Sequence, residues 1–108
     1  MFNAEKFRLM SSRAHFINIG RGATTVLGDL VQALESGEIR GAALDVFQIE
    51  PLPPDHPLWS MPNVIITPHC AGAGPYLDDR RTDLFIENCL RFDAGKPLKN
   101  VVAKDTWF

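Results

Sequence analysis

Three short apolar runs in the first two thirds of the chain have the length and composition of buried β-strands. They are residues 15–19 (HFINI), 42–47 (AALDVF) and 64–67 (VIIT). The first run stops at Gly20-Arg21-Gly22 and the third at Pro68, and both glycine and proline commonly end regular structure. Runs that are apolar throughout, without polar alternation, are typical of strands in a parallel sheet that is covered on both faces.

A helical pattern separates the first two runs. Apolar residues recur there with the i, i+3, i+4, i+7 spacing of one helix face: Leu27, Leu30, Val31 and Leu34. Gly37 is placed to end this helix, and Thr24 or Thr25 to cap its start. The spacing therefore predicts a helix between the first and second strands.

The remainder of the chain predicts one long helix and two weaker features. A helix is expected over residues 76–94, where Gly95 and Pro97 would stop it. The Pro-rich stretch EPLPPDHPLW has room for only one helical turn, at residues 55–60, and a weak pattern allows a short helix within residues 4–12.

The order of these elements predicts an α/β fold. It runs strand, helix, strand, Pro-rich connection, strand, helix, and apolar strands joined by a helix imply a parallel sheet. A sheet of only three strands is thin, so we expect one of its faces or edges to lie open.

Composition narrows the class of protein. The 108 residues suit one domain at most, and the net charge of −2 with a pI near 5.8 argues against nucleic acid or an anionic membrane as partner. No apolar run reaches the roughly 20 residues of a membrane span, and the first ten residues do not resemble a signal peptide. Cys70 and Cys89 are too few for a disulfide scaffold and are interpreted as reduced thiols, which favours a cytoplasmic protein.

Polar residues of three chemical kinds follow the three predicted strands. Arg21 follows the first, Asp45 and Glu50 the second, and His69 the third. Ligands of parallel α/β sheets bind beyond the C-terminal ends of the strands, so a guanidinium, two carboxylates and an imidazole should meet at one edge. No grouping of residues indicates a metal site.

Each of these residues has a structural alternative. Arg21 between two glycines can present its guanidinium to a carboxylate, or it can be a surface arginine in a tight turn. A lone histidine at a strand end is often structural, but Glu50 beside His69 would hold its tautomer and favour the imidazolium, which suits a proton donor. Asp45 can accept from a loop amide or from the amide of a ligand such as nicotinamide, and its neighbours Arg21 and His69 favour the ligand.

Other polar and aromatic residues receive structural interpretations. His15 opens a strand, and His56 belongs to a loop or a cap. Leu58 and Trp59 are expected to fill the space beneath the Pro-rich connection.

These residues occur in segments that resemble the D-isomer-specific 2-hydroxyacid dehydrogenases. The segments are INIGRG (17–22), VQALESGEIRGAALDVFQIEPLPPDHPLW (31–59) and NVIITPHCAG (63–72). The family includes phosphoglycerate, formate, D-lactate and glyoxylate/hydroxypyruvate dehydrogenases or reductases. The resemblance extends from about residue 4 to residues 100–102, and the combined spacing of GRG, LDVF, EPL and TPH makes it specific.

The resemblance implies a role for each candidate residue. Arg21 would bind the substrate carboxylate, and Glu50 and His69 would form the acid/base dyad. The nicotinamide end of NAD or NADP would lie against a set of seven residues: Ile19, Gly20, Arg21, Asp45, His69, Ala71 and Gly72. The substrate would be a small 2-oxo or 2-hydroxy acid, and the complete enzyme would be a homodimer.

The chain departs from the family pattern in two places. The family has an aspartate five residues after the arginine, where this chain has Val26. The glycine-rich strand-turn-helix that binds the pyrophosphate, with the residue that selects the ribose, does not occur in these 108 residues, so NAD cannot be distinguished from NADP.

The resemblance therefore implies the C-terminal half of a Rossmann-like NAD(P)-binding domain. Residues 1–75 would belong to that domain, and residues 76–108 would be a long helix and tail that return to the substrate domain. The leading hypothesis is the C-terminal portion of a dehydrogenase. The alternatives are a non-catalytic binding or interaction module derived from such an enzyme, and a fragment that does not fold alone.

Overall fold

The computed structural model describes residues 1–106. The chain forms two compact units, Met1–Gly72 and a second unit that starts at Ala73. The candidate residues all belong to the first unit.

The first unit contains a three-stranded parallel sheet in the order β1-β2-β3. The strands are β1 (His15–Asn18), β2 (Gly41–Leu44) and β3 (Val64–Ile66). Ile17 pairs with Ala43, which pairs with Ile65, so all three strands are in register. The predicted parallel α/β arrangement is confirmed. Each strand ends one to three residues earlier than predicted because the chain leaves the sheet there to form the loops of the candidate site.

Two helices belong to the same unit. They are α1 (Ala4–Arg8), which Asn3 caps with its side chain, and α2 (Leu27–Glu35). Gly37 has a φ of 74° just beyond α2, as predicted for the residue that ends it. The predicted threonine cap is wrong, since the N-cap of α2 is Val26 and no side chain caps it.

The core lies on one face of the sheet, between the strands and the two helices. Its fully buried members include Phe7 from α1, Leu30 from α2 and Leu44 from β2. On the opposite face, Ile17 and Ile65 are each 66% exposed, so the expected open face is observed.

The Pro-rich connection contains one 3-10 turn, Pro57–Ser60. His56 caps it, because its Nδ1 accepts a hydrogen bond from the Leu58 N–H at 3.3 Å. Leu58 is buried as predicted. The prediction for Trp59 is wrong: it is 53% exposed, and its indole N–H instead donates to the Pro53 carbonyl at 2.9 Å.

The second unit consists of helix α3 (Leu77–Asp93) and the segment that follows it. Gly95 has a φ of 64° and ends the helix as predicted. The segment folds back on the helix, where Lys99 and Arg91 bind Glu87 and hold the pKa of that carboxyl below its usual value. Within the described part of the chain, no helix is both long enough and apolar enough to cross a bilayer.

Candidate active site

The loops of the site begin where the three strands end, and backbone hydrogen bonds join those three strand ends. Asn18, the last residue of β1, accepts at its carbonyl from the Asp45 N–H at 3.0 Å. Leu44, the last residue of β2, accepts in the same way from the Thr67 N–H at 3.0 Å. Because the strands are parallel and end in register, the segments carrying Arg21, Asp45 and His69 begin at one common edge of the sheet. This placement was the main architectural prediction, and it is confirmed.

Glu50 and His69 form a direct pair at this edge. The imidazole Nδ1 lies 2.7 Å from Glu50 Oε2, and the other carboxylate oxygen accepts from the Phe47 N–H at 2.8 Å. The pKa of Glu50 is lowered, first by the Phe47 N–H and then by the hydrogen bond to His69. An ionised carboxylate can only accept, so Nδ1 carries a proton in this pair and Nε2 is the nitrogen that can exchange one.

The backbone at His69 has an unusual conformation. Its φ is 52°, in the left-handed region that residues other than glycine seldom adopt. The two amides that follow are fixed by Asp45, whose carboxylate accepts from the Cys70 N–H and from the Ala71 N–H, each at 2.8 Å. The histidine therefore sits on a turn that a neighbouring strand's carboxylate stabilises.

Asp45 is a buried carboxylate that accepts three hydrogen bonds. It is 3% exposed, and besides the two amides it accepts from the Thr67 hydroxyl at 2.6 Å. These hydrogen bonds, the one from Thr67 foremost, lower the pKa of Asp45 from 3.8 to about 2. Its contacts are those of the structural alternative, a partner for loop amides. Its role as an acceptor for nicotinamide stays a prediction.

Arg21 lies in a turn that packs against the segment after β2. Its backbone is extended, and its exposed side chain donates to the carbonyl of Gly20 at 2.8 Å, its one side-chain hydrogen bond within residues 1–106. Gly22 is buried directly against the backbone of Phe47 and Gln48, where a Cβ atom would overlap both residues. The turn of Arg21 is thus fitted against the segment that supplies the Phe47 N–H to Glu50.

The remaining predicted cofactor contacts are accessible. All of them are exposed at the same edge: Ile19, Gly20, Ala71 and Gly72. Beside the Glu50–His69 pair lies a cavity of about 510 Å³, whose lining includes Leu52, Trp59 and Ile66. The pair therefore borders a space large enough for a small organic acid.

Three residues of the site were missed from the sequence. Asn18 and Thr67 are polar residues at the ends of apolar runs, and Phe47 contributes only its backbone N–H. The asparagine inside HFINI was a readable signal, because a polar side chain in a buried strand needs a hydrogen-bond partner. Phe47 gave no signal, since a backbone donor is independent of residue type.

Comparison with known proteins identifies the family of the chain. The family model described as "D-isomer specific 2-hydroxyacid dehydrogenase, NAD binding domain" matches residues 1–71. The glyoxylate/hydroxypyruvate reductase B of Escherichia fergusonii is 52% identical over 102 residues, which are 94% of this chain and 32% of that protein.

Two solved structures are similar over almost the whole chain. A D-isomer specific 2-hydroxyacid dehydrogenase from Xanthobacter autotrophicus, in complex with NADPH and MES, superposes with a TM-score of 0.82 at 39% identity and covers 99% of this chain and 43% of that one. A probable 2-hydroxyacid dehydrogenase from Rhizobium etli, in complex with NADP, gives a TM-score of 0.84 at 34% identity, with 99% and 35% covered. The chain spans about a third of the length of the curated relatives it matches. Residues 1–71 match the NAD-binding domain of the D-isomer specific 2-hydroxyacid dehydrogenases, and the chain belongs to that family.

Proposed function

We propose that this chain supplies the acid/base and carboxylate-binding residues of an NAD(P)-dependent 2-oxo acid reductase. The Glu50–His69 pair carries the proposal, because it places an imidazole with a defined protonated nitrogen at the sheet edge where Arg21 also lies. A proton donor, a carboxylate-binding group and a hydride donor are what the reduction of a 2-oxo acid requires.

His69 moves the proton. In reduction, Nε2 of the charged imidazole gives its proton to the carbonyl oxygen of the 2-oxo acid as the carbonyl carbon accepts a hydride and the C=O π electrons move to that oxygen. Nδ1 keeps its proton, because Glu50 accepts a hydrogen bond from it throughout. In the reverse direction, neutral His69 removes the proton from the 2-hydroxyl group. The same nitrogen therefore serves both directions.

Arg21 binds the substrate carboxylate. Its guanidinium is exposed and its present hydrogen bond is to its own turn, so it can exchange that bond for a bidentate contact with a carboxylate. Such a contact would orient the 2-oxo group toward His69 and exclude substrates that lack the acid.

The nicotinamide cofactor fits one part of this chain. The exposed edge formed by residues 19–21 and 69–72, next to the open cavity, suits the reacting end of NAD or NADP. When bound, the cofactor supplies or accepts the hydride. The pyrophosphate needs a glycine-rich loop at a helix N-terminus, and these 108 residues contain no GxGxxG motif. Tight binding therefore requires residues beyond those of this chain.

The proposed substrates are small 2-oxo acids of the glyoxylate and hydroxypyruvate type. The name of the E. fergusonii protein supports this choice, and the X. autotrophicus and R. etli structures, which hold NADPH and NADP, support the cofactor. Assembly of the complete enzyme as a homodimer and a cytoplasmic location, in keeping with the free thiols Cys70 and Cys89, belong to the same proposal.

A chimera tests the proposal. This chain would replace the matching 102-residue region of the E. fergusonii reductase, which supplies the rest of the cofactor and substrate sites. We expect the chimera to reduce glyoxylate or hydroxypyruvate. The assay measures the loss of the absorbance of the reduced nicotinamide. His69→Gln should lower kcat by about 10²–10⁴-fold, the usual contribution of general acid–base catalysis.

Glu50→Gln tests whether the Glu50–His69 pair acts in catalysis or has only a structural role. Glu50 accepts one hydrogen bond at each carboxylate oxygen, from His69 Nδ1 and from the Phe47 N–H, and glutamine has only one acceptor oxygen. Glu50→Gln therefore loses one of these bonds, and kcat should fall for reduction and oxidation alike. His56→Gln is the matched control, since that ring caps a 3-10 turn and should leave kcat unchanged. A chimera that folds and binds NADPH but does not turn over would instead support the non-catalytic binding module.

A further inference from the structure

The side chain of Asn18 makes hydrogen bonds on both sides of Arg21. Asn18 is the last residue of β1 and is 7% exposed. Its Oδ1 accepts from the Gly20 N–H at 3.1 Å, and its Nδ2 donates to the Arg21 carbonyl at 3.3 Å. One carboxamide thus binds the Ile19–Gly20 and the Arg21–Gly22 peptide groups, which bracket the segment that carries the arginine.

The same carboxamide is itself oriented by two hydroxyl groups. Nδ2 also donates to Thr25 Oγ1 at 3.1 Å and to Thr24 Oγ1 at 3.3 Å, while the Thr24 hydroxyl donates to the Arg21 carbonyl at 2.7 Å. Neither threonine caps α2, because the N-cap position is Val26. The buried amide, the two hydroxyls and the Arg21 carbonyl form one closed network.

We propose that Asn18 is the positioning residue for Arg21, a role that rests on the proposed function. No contact joins the Asn18 side chain to the guanidinium, so Asn18 acts through the backbone of the turn. By fixing the peptide groups that begin at Ile19 and at Arg21, it limits the direction in which the arginine side chain leaves the turn. A bidentate contact with a carboxylate depends on that direction, and a misplacement of about 1 Å can cost about 10²-fold in rate.

The network uses both ends of the Asn18 carboxamide. Gly20 offers a donor and Arg21 an acceptor, and an amide side chain provides the complementary acceptor and donor on two separate atoms. Asn18→Asp keeps the shape but places a carboxylate oxygen opposite the Arg21 carbonyl. Asn18→Ala leaves the Gly20 N–H without its partner.

The test uses the full chain and two measurements by NMR. The rate of hydrogen exchange at the Gly20 amide measures whether its hydrogen bond to Asn18 is intact, and no substrate is needed. A titration with oxalate measures carboxylate binding. We expect both Asn18 variants to speed exchange at Gly20 and to weaken oxalate binding by about tenfold. The Asp45 amide, which donates to the backbone of Asn18, should stay protected. Asn63→Ala is the matched control, because it removes one hydrogen bond to the Arg40 carbonyl away from the site.

Arg21→Ala distinguishes failure of this inference from failure of the proposed function. If Arg21→Ala loses oxalate binding and Asn18→Asp keeps it, or if Gly20 exchange is unchanged in the Asn18 variants, Asn18 does not position the arginine. If the wild-type chain does not bind oxalate, or Arg21→Ala binds it equally well, the proposed role of Arg21 is wrong and the inference fails with it.

Thr24→Val covers the case in which the Asn18 variants do not fold. Thr24 is exposed, and its hydroxyl bonds both the Asn18 amide and the Arg21 carbonyl. We expect faster exchange at the Gly20 amide and weaker oxalate binding in this variant too, but to a smaller extent than in the Asn18 variants. Unchanged Gly20 exchange and unchanged oxalate affinity would then overturn the inference.

Discussion

Gly22 and Gly28 allow the same substitution, glycine to alanine, in two opposite environments. Neither has a positive φ, so alanine is compatible with both backbones. At Gly22 the new methyl group would overlap the backbone of Phe47 and Gln48. At Gly28, in α2, no atom of the described residues lies within 4 Å of it apart from those of its own stretch of helix. The outcome therefore depends on space alone.

The expected magnitudes have opposite signs. Gly28→Ala should raise the free energy of unfolding by about 0.4–1 kcal/mol, because it reduces the conformational entropy of the unfolded chain. Gly22→Ala gains the same entropic benefit but must displace backbone, and overpacking costs about 1–3 kcal/mol or more. The displaced segment carries the Phe47 N–H that binds Glu50, so the substitution should also disturb the Glu50–His69 pair.

Thermal unfolding followed by circular dichroism measures the difference. Each kcal/mol should shift Tm by about 4–8 °C in a domain of this size, upward for Gly28→Ala and downward for Gly22→Ala. The His69 ring resonances should move in the Gly22 variant and stay in place in the Gly28 variant. Equal Tm values for the two variants would refute the close packing of the Arg21 turn against Phe47.

Three further predictions concern the cap of α2, the acid stability of the fold and cofactor affinity. Val26→Ser should stabilise the chain by about 0.5–2 kcal/mol relative to Val26→Ala in urea unfolding, because α2 has no side-chain cap; equal stability would show that serine does not cap it. Since the pKa of Asp45 in the folded chain is depressed, its contribution to stability is complete above pH 4 and is lost as pH falls toward about 2. Asp45→Asn should remove this decrease in the free energy of unfolding between pH 4 and about 2. An unchanged dependence of stability on pH would contradict the lowered pKa of Asp45. Calorimetry on the 108-residue chain should detect no tight NADH binding, and micromolar affinity would show that the pyrophosphate does not need the glycine-rich loop.

The sheet and the long helix were predictable because their signals are local. Apolar runs bounded by glycine and proline located β1, β2 and β3, and the parallel topology followed from the helix between the first two. Gly37 and Gly95 marked helix ends because both adopt positive φ, a conformation that glycine adopts without strain.

The details of the site were less predictable because they depend on partners distant in sequence. Asp45 accepts from amides 25 and 26 residues away, and partners so distant in sequence could not be identified from the local pattern. Trp59 was expected to be buried because tryptophan is large and apolar, but its indole N–H reaches a carbonyl six residues earlier and keeps the ring at the surface. The left-handed backbone at His69 could not be predicted, because the residue at that position is not glycine.

The three loops of the site are connected to one another by contacts that do not involve any ligand. The turn of Arg21 packs through Gly22 on Phe47, Phe47 donates to Glu50, and Glu50 accepts from His69. The loop of His69 is in turn held by Asp45, whose own N–H bonds the end of β1. This closed path fixes the loop backbones that carry Arg21 and His69 relative to each other at the edge of the sheet. Preorganisation of this kind is what a proton donor and a carboxylate-binding group need in order to act on one small substrate, because the cost of bringing them together is met by folding and not at the moment of binding.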